Sequence, residues 1–264
     1  MSNVDGHDAG TPTWFDLMTP DLAGAQRFYG ELFGWTFLQG TAETMYYTMC
    51  QKNGRNAAGM GKRPEDAPYP TAWSVYFDSK DVDATAARVR EAGGQLMMEP
   101  MDVMDQGRML VCVDPTGAVF GYWQGRRHNG AQIIDEHGAM TWCEVNTRDG
   151  LKASDFYAKV LDVEPRKWPM AEDPDFVYYT LHKGEKAVAG VMQMNAQWPD
   201  AIPPHWMPYF AVDDAEAACE KIKSLGGKVM HGPFDSPYGR IAVVTDPYGA
   251  TFSIIKLSEA AMAA

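Results

Sequence analysis

TWFDLMTPDLAGAQRFYGELFG, residues 13–34, reads as one strand feeding one helix. Residues 13–15 alternate at strand period, and Thr19-Pro20-Asp21 supplies helix-start chemistry. Leu22, Ala25, Phe28, Tyr29 and Leu32 follow at helical spacing, and Gly34 is placed to close the helix. The stretch TWCEVNTRDGLKASDFYAKVLD at 141–162 repeats it. Trp14, Asp16, Thr19, Phe28 and Tyr29 recur as Trp142, Glu144, Thr147, Phe156 and Tyr157.

Further matches follow in the same order. Tyr46-Tyr47-Thr48 is matched to Tyr178-Tyr179-Thr180, and Trp73, Tyr76 and Phe77 to Trp206, Tyr209 and Phe210. Gly107-Arg108 and Asp114-Pro115-x-Gly117 return as Gly239-Arg240 and Asp246-Pro247-x-Gly249. A period of about 130 residues means tandem domains, not solenoid repeats. Each copy divides again. Residues 73–77 are β-rich, Asp81 can cap a helix carrying Val82, Ala86 and Val89, and Gly93-Gly94 ends it. Turns such as Asn53-Gly54 separate the short strands that follow. The predicted module is strand–helix–strand–strand–strand, starting near Thr13, Thr71, Met140 and Pro204.

The expected organisation is a disordered segment at 1–11, a first domain at 12–124, a linker at 125–138, a second domain at 139–257 and a frayed tail at 258–264. The pair Ile133-Ile134 in the linker is a candidate edge strand.

The motif D-x-x-x-A-x-x-F-Y-x-x-x-x-G, met by Asp21, Ala25, Phe28, Tyr29 and Gly34, resembles that of the vicinal oxygen chelate superfamily. So does the D-P-x-G turn at Asp114 and Asp246. The superfamily spans glyoxalases, bleomycin resistance proteins and extradiol dioxygenases. The likeness is to its tandem two-domain branch, which includes a mycobacterial culture-filtrate antigen. The resemblance implies an α+β fold, in which each domain is a pair of βαβββ modules forming a cupped mixed sheet with helices outside.

Metal-using members are expected to hold a divalent ion in the cup, usually through His, His and Glu. Counting from the helix-start and strand-end aspartates places Trp14, Ser74 and Gly121 at those positions in copy one. Trp142, Met207 and Ser253 take them in copy two. None is a usual ligand, so no metal and no other cofactor is expected, although a divalent ion with displaced ligands stays open. Glu144 and His205 would be two such ligands.

Strand alternation puts Asp16 beside Trp14, Tyr76 beside Ser74, Glu144 beside Trp142, and Tyr209 and His205 beside Met207. The indoles either wall a pocket or plug it. A small residue, Gly121 or Ser253, leaves room for a ligand. The buried carboxylates need a partner or a function; Arg108 and Arg240 are candidate partners. The expected ligand-binding set is Trp14, Ser74, Gly121, Trp142, His205, Met207 and Ser253. If the chain is catalytic, Asp16 or Glu144 is the general base and Tyr76 or Tyr209 the donor.

Three functions remain: a small-molecule binder, a metal-independent lyase, isomerase or hydroxylase, and a metal-dependent glyoxalase or dioxygenase. A net charge of −12 argues against a nucleic-acid partner. No apolar run is long enough to span a membrane, and no signal-peptide pattern opens the chain, so a cytoplasmic monomer or homodimer is expected. Buried free thiols are expected for Cys112 and Cys219. Solvent exposure is expected for His7, His128, His137, His182 and His231, with Arg126-Arg127-His128 a solvated basic linker.

Overall fold

A computed structural model describes residues 2–169 and 175–262. The first half runs β1 (Ser2–Asn3), β2 (Pro12–Thr19), α1 (Leu22–Phe33), β3 (Thr36–Gln39), β4 (Thr48–Lys52), β5 (Arg55–Lys62), β6 (Ala72–Asp78), α2 (Val82–Glu91), β7 (Gln95–Val103), β8 (Gly107–Val113) and β9 (Val119–Gly125). The second half runs β10 (Ile133–Ile134), β11 (Met140–Thr147), α3 (Gly150–Leu161), β12 (Glu164–Lys167), β13 (Tyr178–Lys183), β14 (Lys186–Gln193), β15 (His205–Ala211), α4 (Ala215–Ser224), β16 (Lys228–Ser236), β17 (Gly239–Thr245), β18 (Thr251–Leu257) and α5 (Glu259–Met262).

Local chemistry sets the helix ends. Asp21, Asp81, Asp149 and Asp214 each accept a backbone N–H in the first turn of their helix. Gly34 ends α1 at φ 69°, where a side chain would be strained. Asn53 and Gly54, both at positive φ, turn β4 into β5.

The four βαβββ modules are present, two to a sheet. The first sheet has the order β3-β4-β5-β2-β6-β9-β8-β7, and the second β12-β13-β14-β11-β15-β18-β17-β16. In each, the opening strands of the two modules lie side by side and antiparallel. Trp14 faces Tyr76 and Asp16 faces Ser74; Trp142 faces Tyr209 and Glu144 faces Met207. Trp168, just past one edge strand of the second sheet, meets Tyr238 in the β16–β17 turn at its other edge, 5.6 Å between rings. Two edges of one sheet touch only if the sheet curls, and this sheet is a cup.

The opposite strand faces, carrying Phe15, Phe77 and Phe210, pack with the helices in one apolar core that spans both halves. Phe15 and Phe210 meet across the halves at 5.8 Å, and Phe77 and Trp206 at 5.0 Å. Two reciprocal relays lock this seam. Trp73 Nε1 donates to Tyr29 Oη at 3.0 Å, which donates to Asp246 Oδ2 at 3.1 Å. Trp206 Nε1 donates to Tyr157 Oη at 2.9 Å, which donates to Asp114 Oδ2 at 2.8 Å. The helix tyrosine and the turn aspartate of the two sequence motifs thus meet across the halves.

The N-terminal stretch differs from the expected disorder. Ser2–Asn3 pairs antiparallel with Ile133–Ile134, itself parallel to β11, and His7 Nε2 lies 2.9 Å from Ala131 O. The linker exposes a strand edge, and the lead-in satisfies its backbone groups. In the tail, Glu259–Met262 is a helical turn; Met1, Ala263 and Ala264 lie outside the described residues. All four cysteines are buried and free.

Candidate functional site

The second cup is built on β11, where Trp142, Glu144 and Asn146 share the concave face. Glu144 is 7% exposed. Tyr209 Oη donates to its Oε1 at 2.8 Å and Tyr178 Oη to its Oε2 at 2.9 Å. Trp142 Nε1 donates to Tyr178 Oη at 3.2 Å. Burial raises the proton affinity of Glu144, against the two tyrosine donors. Around it, Met207, Tyr209, Ile241 and Ile255 form an apolar cluster separate from the shared core, with Trp142, Phe234, Val243 and Leu257 half-buried against it.

The first cup repeats the chain of contacts. Trp14 Nε1 donates to Tyr47 Oη at 2.9 Å, which donates to Asp16 Oδ2 at 3.2 Å. Aspartate is one methylene shorter than glutamate. Ser74 and Tyr76 face its carboxyl, but Oδ1 is buried without a hydrogen-bond partner. Burial pushes Asp16 up to about 6, against the hydroxyls of Ser74, Tyr47 and Tyr76. The Tyr76 and Tyr209 hydroxyls stay protonated, since burial and then the neighbouring carboxylates raise them well above 10.

A folded carboxyl that rises from 3.8 to about 6 stabilises the fold at low pH. That stability, on the order of 3 kcal/mol, is lost as pH climbs through about 6. Asp16→Asn is therefore expected to gain about 1–3 kcal/mol at pH 8 and almost nothing at pH 4. Urea unfolding at the two pH values checks this; an equal effect at both would refute it.

Tyr47 and Tyr178 were not among the expected site residues. The sequence match set Tyr46 against Tyr178, but the structure sets Tyr47 there, since Tyr47 and Tyr178 hold the same contacts. A one-residue slip turns a side chain to the other face. The glycines carried the correct signal. A Cβ on Gly59 would lie 1.9 Å from Tyr47 Oη, and one on Gly190 would lie 2.1 Å from Tyr178 Oη. Both tyrosines cross over a glycine in β5 or β14.

Several expected roles change. Gly121 leaves no room for a ligand, because the Tyr76 ring covers it at 2.3 Å from a Cβ position. Arg108 pairs with Asp83 and Asp102, and Arg240 with Glu216 and Asp235, so neither reaches the cup carboxyls. Arg126 and Arg127 are exposed and paired with Asp102 and Asp105. His128 is not solvated with them. Its ring meets Trp14 edge-on at 4.4 Å and Trp123 at 5.5 Å, and Trp123 Nε1 donates to its carbonyl at 2.7 Å. Burial lowers its pKa to about 4, so the ring is neutral. His7 is likewise drawn in by Ala131, and His182 lies within β13.

This contact separates the cups. Trp14 is 4% exposed under His128, whereas Trp142 remains partly open. Ile255 stands where Trp123 does in the first copy. A surface depression of about 270 Å³ lined by Asp175, Val177, Gln193 and Asn195 opens outside this cup.

Among the described residues, no three His, Cys, Asp or Glu side chains gather. Both oxygens of Glu144 accept from tyrosines, and His205 Nε2 lies 3.3 Å from Asn146 Nδ2. These donors do not fit the ion cage that the resemblance implies. No helix among the described residues is long and apolar enough to cross a membrane.

The family model described as Glyoxalase/Bleomycin resistance protein/Dioxygenase superfamily matches residues 11–122 and 139–254. The Mycobacterium tuberculosis protein named "Putative glyoxylase CFP32" is 39% identical over 252 residues, 94% of this chain and 95% of that protein. "Anthracycline biosynthesis protein DnrV" of Streptomyces peucetius is 37% identical over 265 residues, 95% of this chain and 94% of that one. A Mn(II)-bound glyoxalase from Novosphingobium aromaticivorans superimposes with TM-score 0.66 at 16% identity, covering 94% of this chain and 82% of its own. The 2,3-dioxygenase LapB from Pseudomonas sp. KL28 gives 0.65 at 13%, covering 93% and 91%. At those identities the likeness to solved structures is one of fold.

Proposed function

The chain belongs to the glyoxalase/bleomycin resistance protein/dioxygenase superfamily, and we propose that within it the protein binds one small aromatic or apolar metabolite, without a metal, in its second cup. The observation that carries this reading is the partly open Trp142 beside Glu144 and its tyrosine clamp, walled by Met207, Ile241 and Ile255. An apolar pocket with a few convergent polar groups suits such a ligand. The first cup has the same indole and carboxyl but is filled from within by His128 and Trp123. DnrV is named for anthracycline biosynthesis, and a flat aromatic skeleton of that class would lie well on an indole wall.

Calorimetric titration of the full chain with 2-naphthol, a flat aromatic probe, tests the reading. A single site per chain is expected; two equal sites, or none, would overturn it. About one Fe, Mn, Ni or Zn per domain in the purified protein would overturn the metal-free part.

A second reading makes the protein a metal-independent lyase, isomerase or hydroxylase, with Asp16 or Glu144 as general base and Tyr76 or Tyr209 as donor. The raised proton affinity of both carboxyls favours it. Turnover that survives both Asp16→Asn and Glu144→Gln would remove it.

A further inference from the structure

On the concave face of β11, two residues past Glu144, Asn146 is 2% exposed and lies opposite His205 in register. His205 Nδ1 is 2.8 Å from Pro203 O. A carbonyl oxygen only accepts, so Nδ1 carries the proton and Nε2 is left as an acceptor. Burial lowers the His205 pKa and keeps the ring in this neutral form. Nε2 lies 3.3 Å from Asn146 Nδ2, which must therefore be the donor. The relay orients the amide: Nδ2 is turned to His205, and Oδ1 is turned away. That Oδ1 is buried and has no hydrogen-bond partner. A buried carbonyl without a donor is costly, because it has given up water and gained nothing in return.

The first copy shows that the fold does not require this pair. Met18 and Ala72 occupy the equivalent register position, next to Asp16 and Ser74. The polar pair is a feature of the second cup alone.

We propose that Asn146, oriented by His205, is a specificity-determining residue of the second cup, selecting ligands that present a hydrogen-bond donor, a hydroxyl or N–H group, to its Oδ1. This rests on the reading of the second cup as the binding site. Strand geometry sets the spacing: the donor sits about 7 Å along β11 from Glu144. A ligand whose oxygen is methylated or only accepts would leave Oδ1 unpaired and set two lone pairs against each other. Sites that bind a hydroxyl discriminate strongly against analogues lacking it, for this reason.

The matched probes 2-naphthol and 2-methoxynaphthalene test the proposal by calorimetric titration of the full chain. The naphthol is expected to bind about tenfold more tightly than its ether. Asn146→Leu is expected to bring the ratio close to one, mainly by weakening the naphthol. His205→Phe removes the acceptor that fixes the amide and is expected to reduce the ratio as well, which covers a failure of Asn146→Leu to fold. If both probes bind equally to the wild type, or the ratio survives both substitutions, the proposal is wrong. If that binding is nevertheless lost in Trp142→Ala, the cup remains the site and only the role of Asn146 falls. Absence of binding by either probe would overturn the reading of the cup and this proposal with it.

Discussion

Asp114→Ala is expected to cost about 3–5 kcal/mol and to unfold both halves in one transition at lower denaturant. Asp114 Oδ1 accepts Thr116 N at 2.7 Å, Gly117 N at 2.8 Å, Ala118 N at 3.0 Å and Thr116 Oγ1 at 2.7 Å. Its Oδ2 accepts Tyr157 Oη from the other half. The carboxylate is 3% exposed, so its removal strands several donors away from water. Asp246→Ala should behave alike, because it binds Tyr248 N, Ala250 N and Tyr29 Oη in the mirrored relay. Tyr157→Phe removes one hydrogen bond from the same network and should cost about 1–2 kcal/mol. Urea unfolding followed by tryptophan fluorescence and far-ultraviolet dichroism is the check. Two separate transitions, or a loss under about 1 kcal/mol, would mean that the seam is not the shared core described above.

Trp14→Ala and Trp142→Ala are expected to have opposite consequences, although the two indoles hold equivalent places. Trp14 is enclosed by Tyr47, His128 and the shared core. Truncating it leaves a cavity and should cost about 3–5 kcal/mol of stability, with 2-naphthol binding retained. Trp142 remains partly open and packs with the separate apolar cluster of the second cup. Its truncation should cost less stability, about 1–2 kcal/mol, and lower probe affinity at least tenfold. The reverse pattern would move the site to the first cup. No change in affinity for either variant would show that neither indole walls it.

The parts of this protein legible in the sequence are those set by neighbours along the chain. Aspartate caps, helix-ending glycines and the order of the four modules depend on spacing over a few residues, so the caps Asp21 and Asp81 could be read directly. The pairing of Trp14 with Asp16 and of Trp142 with Glu144 on one face follows from strand period alone. Tyr47 and Tyr178 were harder, because a match between short motifs tolerates a slip of one residue and a sheet does not. Gly59 and Gly190 would have pinned that register.

Contacts between distant segments were decided only in the tertiary structure. Nothing local says that Tyr29 and Tyr157 would reach the aspartates of the opposite half, or that the two halves would share one core. Nor could spacing distinguish a solvated linker from one whose His128 closes a cup. The sequence determined by itself that the unit is duplicated and that each copy sets an indole and a carboxyl on one face of its opening strand; the cup was what the family resemblance implied. Tertiary structure decided that the two indoles differ in exposure, because the linker after β9 packs its histidine against Trp14, whereas Ile255 stands in the second copy where Trp123 does in the first.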